Sequence, residues 1–272
     1  ALAAFFALAE HKNIVVPVSH HAKEETHHRI HASSCQWTWH PENGFLKVGR
    51  CTPLPPVFEA LEDGPGLVLF SSGSTGKPKG MVHDLHRLMS AHAPRDTLKD
   101  HRQLLFLFFD HIGGLDTLLR ATAHGGALVI PDDRSPETVG AGIERHRVDV
   151  LPATPTFLNL LLLNRIHERH DLSSLKIIAY GAEPMPAALL RRLEAAFPEA
   201  DLQQKFGTSE TGAIRVEPGS AGASTFRIND PDTQAKIVDG ELWLKSRTTI
   251  LGYLEGGDDR AFRDGWFRTG DR

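Results

Sequence analysis

The chain has 272 residues, 40% of them hydrophobic, so it can bury a large core as one big domain or two modest ones. Its formal net charge is −4 with histidine neutral, and the sequence has no basic block, which argues against nucleic acid or an anionic membrane as its main partner. No apolar run reaches transmembrane length, and the two cysteines, Cys35 and Cys51, lack zinc-type spacing, so we expect a reducing compartment and a cytoplasmic protein.

The first forty residues predict a core helix, a strand and a histidine-rich helix. Residues 1–10 are apolar but lack the basic start of a signal peptide, and residues 14–18 read as a strand. His27 and His31 would share one helix face close to Cys35, which makes a metal site one interpretation. The charged residues interleaved with these histidines favour a solvated helix face instead.

A predicted strand followed by a loop rich in glycine and hydroxyl groups is the strongest local signal. Residues 66–70 are an apolar run of strand length, and seven of the ten residues 71–80 are Gly, Ser or Thr. Backbone N–H groups, hydroxyls and the charges of Lys77 and Lys79 together make a cradle for phosphate. The loop differs from the G-x-x-x-x-G-K-[ST] motif, because Ser71 stands at its first glycine and Pro78 at its last position.

Helices and strands alternate after this loop. The predicted order is helix 83–93, strand 103–109, helix 114–124, strand 127–130, helix 136–146, strand 148–151, helix 156–163, strand 176–180, helix 186–197 and strand 202–206. This alternation predicts an α/β fold with mostly parallel sheets covered by helices. Beyond residue 212, short strands such as 234–238 and 241–245, joined by Asp239-Gly240, predict a small β subdomain. We therefore divide the chain into an α/β part, 1–212, and a β subdomain, 213–272.

Five segments carry a resemblance to one superfamily. The sequence S-S-G-S-T-G-K-P-K from Ser71 to Lys79 is close to the signature of adenylate-forming enzymes, which include acyl-CoA synthetases, peptide-synthetase adenylation domains and luciferases. Four further segments resemble motifs of that superfamily and occur in its order. They are F-D-H-I-G-G at 109–114, G-A-E-P at 181–184, F-G-T-S-E-T-G at 206–212 and G-W-F-R-T-G-D at 265–271. The resemblance covers residues 68–272.

The resemblance implies a site for ATP and magnesium. In the superfamily the first segment closes over the β- and γ-phosphates of ATP. The residues that inherit this role are Ser71, Ser72, Gly73, Ser74, Thr75, Gly76 and Lys79. Phe206 would stack on adenine, Ser209 would lie near the α-phosphate, and Glu210 would bind the magnesium ion that bridges the phosphates. The superfamily usually has Tyr and Thr at the first two of these positions, and stacking and hydrogen bonding survive both exchanges.

The resemblance also implies contacts to the base and the ribose. The residues concerned are Gly181, Ala182, Glu183, Gln204, Gly207, Thr208 and Asp271. The backbone of the G-A-E-P segment would lie against one face of adenine. Gln204 stands where Asn is common and would reach the adenine amino group, and Asp271 would accept hydrogen bonds from both ribose hydroxyls.

The acid substrate would lie beside the F-D-H-I-G-G segment. His111 would face the substrate, and with Ser209 and Glu210 it is one of three candidate catalytic residues; a buried core histidine is the alternative. The pocket would be lined by Asp110, His111, Gly114 and Tyr180. The dipeptide Gly252-Tyr253 resembles a structural link of the superfamily, and we assign it no chemistry.

These roles imply an AMP-forming acid–thiol ligase. The acid would attack the α-phosphate of ATP to give an acyl adenylate, and a thiol of coenzyme A or of a carrier-protein pantetheine would then take the acyl group. Implied partners are a small carboxylic acid and, for the second thiol, an acyl carrier protein. One alternative is an amino-acid adenylation domain, in which Asp110 would bind the substrate amine. Another is a nucleotide-binding module without catalysis.

The superfamily has a C-terminal lid domain, which carries a catalytic lysine, after the last of these motifs. This chain ends at Arg272, directly after that motif, and begins with Ala1 rather than methionine. We therefore expect a fragment of a longer enzyme, with little activity on its own.

Overall fold

The structure is a computed structural model, and it describes residues 1–19, 23–48, 53–72, 78–93, 100–218 and 225–271. The α-helices within these ranges are α1 (Leu2–Glu10), α2 (Lys23–Ala32), α3 (Leu85–Ala91), α4 (Ile112–Ala123), α5 (Pro136–His146), α6 (Pro155–Leu163), α7 (Ile166–Arg169) and α8 (Ala187–Ala196). Within the same ranges, 3₁₀ helices span Pro56–Leu61 and Asp259–Ala261. Among the described helices, none combines the length and the apolar composition needed to cross a membrane.

The strands of the described residues form three larger sheets and three two-stranded ribbons. The first ten are β1 (Ile14–Val15), β2 (Trp37–His40), β3 (Gly44–Lys47), β4 (Gly66–Ser72), β5 (Pro78–Asp84), β6 (Arg102–Leu104), β7 (Ala127–Val129), β8 (Val150–Ala153), β9 (Ile177–Tyr180) and β10 (Asp201–Gln204). The others are β11 (Phe206–Thr208), β12 (Gly212–Ile214), β13 (Val216–Pro218), β14 (Phe226–Ile228), β15 (Thr233–Val238), β16 (Glu241–Ser246), β17 (Gly252–Glu255), β18 (Phe262–Arg263) and β19 (Trp266–Arg268). The ribbons are β2–β3, β11–β12 and β13–β14.

A parallel sheet forms the centre of the α/β part. Its order is β10-β9-β8-β6-β7, and every pair in it is parallel. Fully buried Leu151 and Ile178 from its strands pack with Ile143 of α5, Leu158 of α6 and Leu193 of α8 in one hydrophobic cluster. Parallel strands covered by helices bury apolar residues along their whole length, as the sequence of β8 and β9 requires. The predicted α/β class is confirmed.

A mixed sheet carries the glycine- and serine-rich segment. Its order is β1-β4-β5-β17, with β1 and β4 parallel and the other two pairs antiparallel. Leu67 and Leu69 of β4 pack toward α1, α3 and α4, whereas Val68 and Phe70 pack toward the first 3₁₀ helix. Because side chains alternate between the two faces of a strand, both faces of β4 are buried, which explains its unbroken apolar run.

Most predicted elements have somewhat different bounds in the structure, and two of them show why. The helix predicted from residue 83 begins at Leu85, after the strand β5, because the Asp84 side chain accepts from the backbone N–H of Arg87 and caps the helix there. The strand predicted at 103–109 ends at Leu104. The apolar residues that follow turn out of the sheet, where the Phe106 ring packs against the Phe157 ring at 4.1 Å between centroids.

The region after residue 212 is rich in short antiparallel strands, as predicted. Its main sheet has the order β15-β16-β19-β18. The strand β17 leaves this sheet and pairs with β5, so that Tyr253 lies opposite Met81. The two parts of the chain therefore share one sheet, and their division at residue 212 stays a prediction.

Candidate active site

The β4–β5 hairpin presents the predicted phosphate loop. The two strands are paired from Gly66 and Asp84 to Ser72 and Pro78, with Ser71 opposite Lys79. Residues 73–77, which connect these strands in the sequence, lie outside the described residues, and with them the predictions for Gly73, Ser74, Thr75 and Gly76. The structure thus places a strand on each side of the loop, with Lys79 in the first residues after it.

Glu210 lies in the tight turn between β11 and β12. These strands pair antiparallel from Phe206 and Ile214 to Thr208 and Gly212, which leaves Ser209, Glu210 and Thr211 as the turn. The Thr211 backbone N–H donates to the Thr208 hydroxyl oxygen at 3.1 Å. Gly212 has a φ of +83°, and a Cβ at this position would lie 2.8 Å from the Thr248 hydroxyl oxygen, so glycine is required there.

Thr248 and Ile250, which precede β17, donate hydrogen bonds to the backbone of this turn. The Ile250 N–H donates to the Glu210 carbonyl at 2.8 Å. The Thr248 hydroxyl donates to the Thr211 carbonyl at 2.6 Å. The Glu210 turn is therefore fixed at its backbone by residues that come about forty positions later in the chain.

The side chain of Glu210 contacts β17 as well. The Tyr253 hydroxyl donates to Glu210 Oε1 at 2.9 Å. Burial raises the pKa of the Tyr253 phenol, and the neighbouring Glu210 charge raises it further. Since Tyr253 lies opposite Met81 in the mixed sheet, this bond connects the predicted magnesium ligand to the strand that follows the phosphate loop.

The predicted adenine-stacking residue already has an aromatic neighbour. The half-buried Phe206 ring lies 4.7 Å from the Phe226 ring, centroid to centroid, at an interplanar angle of 34°. Sequence reasoning missed Phe226, because nothing local connects β14 with β11. Gln204, also half-buried, ends β10 at the edge of the parallel sheet. Gly207 is needed for close packing, since a Cβ there would lie 2.5 Å from the Gly212 carbonyl oxygen.

The loop after β9 is held in an unusual conformation. A Cβ on Gly181 would lie 2.7 Å from the Lys205 carbonyl oxygen, so the loop backbone passes directly beside the start of β11. Ala182 has a φ of +68°, which is rare for a residue with a side chain. Glu183 Oε2 accepts from both the backbone N–H and the hydroxyl of Thr156, at 3.0 and 2.6 Å. These contacts tie the loop to the N-terminus of α6.

Asp271 is exposed at the end of the described chain. Its backbone carbonyl accepts from the Leu242 N–H at 2.9 Å, and its N–H donates to the Thr269 hydroxyl at 3.0 Å. Gly270, with a φ of +81°, donates its N–H to Glu241 Oε1 at 3.1 Å. The turn is ordered by these bonds while the Asp271 carboxylate faces solvent.

Asp110 and His111, the two polar residues of the F-D-H-I-G-G segment, differ in how far their side chains are exposed. The side chain of Asp110 is 1% exposed, whereas that of His111, the residue before α4, is 53% exposed. Asp110 Oδ2 accepts from the Ser19 N–H at 3.0 Å and lies 3.5 Å from Arg29 Nη1. Asp110 Oδ1 lies 3.9 Å from His111 Nε2. Asp110 is thus an internal ion-pair partner, and His111 is the polar side chain that faces outward.

Arg29 is a buried partner of the His111 segment that the sequence did not predict. It is buried on α2, with its guanidinium 5.4 Å from the centre of the Phe70 ring. It also donates to Glu25 Oε2 at 2.8 Å. The i,i+4 spacing of Glu25 and Arg29 is the only local sequence feature that involves Arg29, and such spacing predicts an ion pair on the helix surface rather than a buried arginine. Arg29 connects the histidine-rich helix, the mixed sheet and the His111 segment.

Packing accounts for two of the predicted pocket residues. Tyr180 is 5% exposed in the core of the parallel sheet, where burial raises the pKa of its phenol. A Cβ on Gly114 would lie 2.1 Å from the Phe108 carbonyl oxygen, so this glycine lets α4 approach the preceding turn. Their place in the substrate pocket stays a prediction.

The histidine-rich helix shows no metal-binding arrangement among its described residues. His27 and His31 are exposed, and His28 Nε2 lies 2.6 Å from Glu255 Oε1. Burial raises the pKa of the Cys35 thiol to about 11. Within the described part of the chain, no cluster of three or more His, Cys, Asp or Glu side chains is placed to hold a metal ion.

The chain has an open α/β sheet, candidate binding residues in the loops that follow its strands, and a hairpin rich in glycine and serine. This combination is typical of nucleotide-binding α/β proteins. The chain belongs to the family of AMP-binding enzymes, whose family model matches residues 2–254.

Curated relatives include several CoA ligases. The chain is 32% identical to 4-coumarate–CoA ligase 2 of Oryza sativa subsp. japonica over 248 residues, which cover 79% of this chain and 43% of that protein. It is 31% identical to 2-succinylbenzoate–CoA ligase of Bacillus pumilus over 225 residues, which cover 75% of this chain and 45% of that protein. The chain thus spans about half the length of the curated relatives it matches.

Solved structures show the same fold. The inhibitor-bound N-terminal domain of FACL13 from Mycobacterium tuberculosis is 27% identical, with a TM-score of 0.62 over 75% of this chain and 56% of that chain. The anthranilate CoA ligase AuaEII in complex with anthranoyl-AMP is 23% identical, with a TM-score of 0.63 over 75% of this chain and 44% of that chain, and this likeness shows the fold alone.

Proposed function

We propose that the whole protein activates a carboxylic acid with ATP and transfers the acyl group to coenzyme A. The observation that carries the proposal is the connection of Glu210, through Tyr253 and Ile250, to β17 and so to the strand that follows the phosphate loop. A carboxylate beside a phosphate-binding hairpin is the combination that phosphoryl and nucleotidyl transfer requires. The AMP-binding family and the CoA ligases among the relatives support the same activity.

The residues around Glu210 fit a magnesium–ATP complex. Tyr253 engages Oε1 of the carboxylate, so Oε2 can serve as a hard oxygen ligand. Magnesium, when bound, neutralises charge on the phosphates. Lys79 and the hairpin N–H groups bind the outer phosphates, and Ser209 donates to the α-phosphate.

The remaining nucleotide contacts follow from the loops already described. The face of Phe206 away from Phe226 stacks on adenine, and the backbone of the loop 181–183 covers the other side of the base. Gln204 binds the adenine amino group. The exposed Asp271 carboxylate accepts from the ribose hydroxyls.

The acid binds beside His111, the exposed side chain of its segment. A carboxylate oxygen of the acid attacks the α-phosphorus of ATP, and pyrophosphate leaves as the P–O bond breaks. The thiol of coenzyme A then attacks the acyl carbon, loses its proton and expels AMP.

The alternative of amino-acid activation is less well supported. It needs Asp110 as a free partner for the substrate amine, but the Asp110 side chain is 1% exposed and paired with Arg29. Freeing Asp110 would leave Arg29 as a buried charge without this partner, which is costly. Binding of nucleotide without catalysis is the second alternative, and the experiment below distinguishes it.

The test is acid-dependent exchange of pyrophosphate into ATP by the whole protein. We expect exchange with an aryl or acyl carboxylic acid from a panel that includes 4-coumarate and 2-succinylbenzoate, and none with amino acids. Exchange with amino acids alone would establish the adenylation-domain alternative. Tight ATP binding without exchange for any acid would establish the nucleotide-binding module.

A lysine variant tests the phosphate hairpin directly. Lys79→Ala should weaken ATP binding on the order of tenfold and leave AMP binding nearly unchanged, because its ammonium faces the outer phosphates. Lys176→Ala, which removes an exposed lysine next to β9, is the control. Equal losses of ATP and AMP affinity in Lys79→Ala would show that the hairpin does not bind the outer phosphates.

A further inference from the structure

Tyr253 belongs to the dipeptide that the sequence leaves without chemistry, yet its hydroxyl is bonded to the Glu210 carboxylate. The two residues are 43 positions apart, and the O–O distance is 2.9 Å. Hydrogen bonds between a neutral donor and a carboxylate are stronger than those between neutral groups. The contact therefore restrains the Glu210 side chain, whose carboxylate would otherwise sample several rotamers.

The Tyr253 ring is itself held in place. It packs against Gly257, where a Cβ would lie 1.9 Å from the ring Cγ, and against the Phe262 ring at 5.7 Å between centroids. Its backbone lies in β17, opposite Met81. A ring fixed on these sides keeps its hydroxyl at one position. A carboxylate can only accept, so the Tyr253 hydroxyl is the donor in this bond.

The surroundings of this pair are acidic. The carboxylates of Glu210, Asp258 and Asp259 all raise the pKa of Tyr253, and that of Asp258 is paired with Arg260. The nearby Glu255 is paired with His28, on α2. The Glu210 carboxylate, whose bonded partner Tyr253 is neutral, would repel the phosphates of ATP, so a cation between them would favour binding of the triphosphate.

We propose that Tyr253 is the positioning residue of the magnesium site, which engages Oε1 of Glu210 and directs Oε2 toward the cation that accompanies ATP. This inference rests on the proposed function, in which Glu210 is the magnesium ligand. Hydrogen-bond partners of ligating carboxylates fix the orientation of the ligand, and their loss typically lowers metal affinity by about 10- to 100-fold.

The test is a magnesium titration of ATP binding by the whole protein, with AMP binding in the absence of magnesium as the reference. In Tyr253→Phe, the magnesium concentration for half-maximal ATP binding should rise by about tenfold. AMP affinity and the melting temperature should change little, because Phe keeps the ring packed against Gly257. Ser174→Ala is the matched control, since it deletes a half-buried hydroxyl that donates to the Val148 carbonyl at 2.7 Å, just before strands β8 and β9.

A double-mutant cycle with Glu210→Gln separates positioning from packing. Tyr253→Phe should add nothing to the magnesium requirement of Glu210→Gln, because the bond it removes acts only through the carboxylate. If Tyr253→Phe titrates like the parent, or loses AMP and ATP affinity equally, the inference is overturned. If the parent protein binds ATP without any magnesium dependence, the proposed role of Glu210 fails first, whatever Tyr253 does.

Discussion

His83 lies on β5 with 1% of its surface exposed, and among the residues that the structure describes neither ring nitrogen has a hydrogen-bond partner. Burial lowers the pKa of this imidazole to about 4, from an ordinary value of 6.5. The folded protein therefore holds His83 neutral, while the unfolded chain binds a proton below about pH 6.5. The single residue makes the stability of the mixed sheet depend on pH.

The sign of this dependence gives a prediction at the residue scale. Stability from neutral His83 is present above pH 6.5 and is lost as pH falls toward 4, because the unfolded state binds the proton first. Between pH 7 and pH 5 the loss should be roughly 2 kcal/mol. His83→Leu should remove this part of the pH dependence of the unfolding free energy, measured with urea.

His86→Leu is the control, because His86 is exposed on α3, two residues beyond the end of β5. It should keep the pH dependence of the parent protein. Parallel loss of stability in the parent and in His83→Leu between pH 7 and pH 5 would rule out His83 as its source.

The candidate site residues that lie in motifs can be predicted from the sequence, whereas the residues that hydrogen-bond to them cannot. The segments with Glu210, Phe206 and Asp271 could be found from local sequence alone. The bonds from Asp110 to Ser19 and Arg29 span 91 and 81 positions, and the bond from Glu210 to Tyr253 spans 43. No local pattern specifies such partners, because they meet only after the sheets have formed.

At the scale of elements, helix signals were sufficient where they were local. The helix predicted at 136–146 has those bounds because the Ser135 side chain accepts from Thr138 N–H and Pro136 occupies the first turn. Strand bounds failed where pairing decides them. The strand β5 was missed because its seven residues are specified by pairing with β4 rather than by their own alternation.

His170 joins two elements across the surface. Its Nδ1 and Nε2 atoms each lie 2.9 Å from a carboxylate oxygen, of Glu144 and of Glu137 on α5. The hydrogen bond to Glu144 raises the pKa of the imidazole most, and the bond to Glu137 raises it further. The charged form of His170 is therefore favoured in the folded state. We call His170 with Glu137 and Glu144 the clamp, because it joins α5 to the residue that follows α7.

The pH dependence of this clamp should have the opposite sign from that of His83. Its stability is present below pH 6.5 and is lost as pH rises through the raised pKa of His170. His170→Gln should therefore destabilise the protein more at pH 6 than at pH 8.5, in urea unfolding at low salt, and the difference should shrink in high salt. His146→Gln, an exposed histidine on α5, is the control. An equal effect of His170→Gln at both pH values would contradict the clamp.

For the whole molecule, the strand β17 decides whether the two parts of the chain are independent. It comes after the predicted boundary at residue 212, but it completes the sheet that contains β4 and β5. The Leu251 N–H also donates to the Val82 carbonyl at 2.8 Å. A change in composition along the sequence cannot reveal that a later strand pairs with an earlier sheet. Such pairing depends on the partner strand and not on the residue types of the strand itself.

We predict that the two parts unfold together. The described α-helices all precede residue 212, so far-ultraviolet circular dichroism reports mainly on the α/β part. With Trp37 and Trp39 replaced by Phe, fluorescence reports on Trp243 and Trp266 of the small sheet. The two melting curves should coincide, since β17 couples the sheets. A fluorescence transition several degrees below the other would show an independent β subdomain.

Gly80→Ala extends this prediction to the contact between the two parts. A Cβ on Gly80 would lie 3.0 Å from Phe70 Cε1 and 3.2 Å from Leu254 Cβ, so it would push β17 away from β5. Both melting curves should shift down together, because the strain falls on the shared sheet. Gly142→Ala is the matched control, as its Cβ would meet nothing within 4 Å and alanine favours the helix α5. If Gly80→Ala lowered the fluorescence transition alone, β17 would be an attachment of the small sheet rather than a strand on which the α/β part depends.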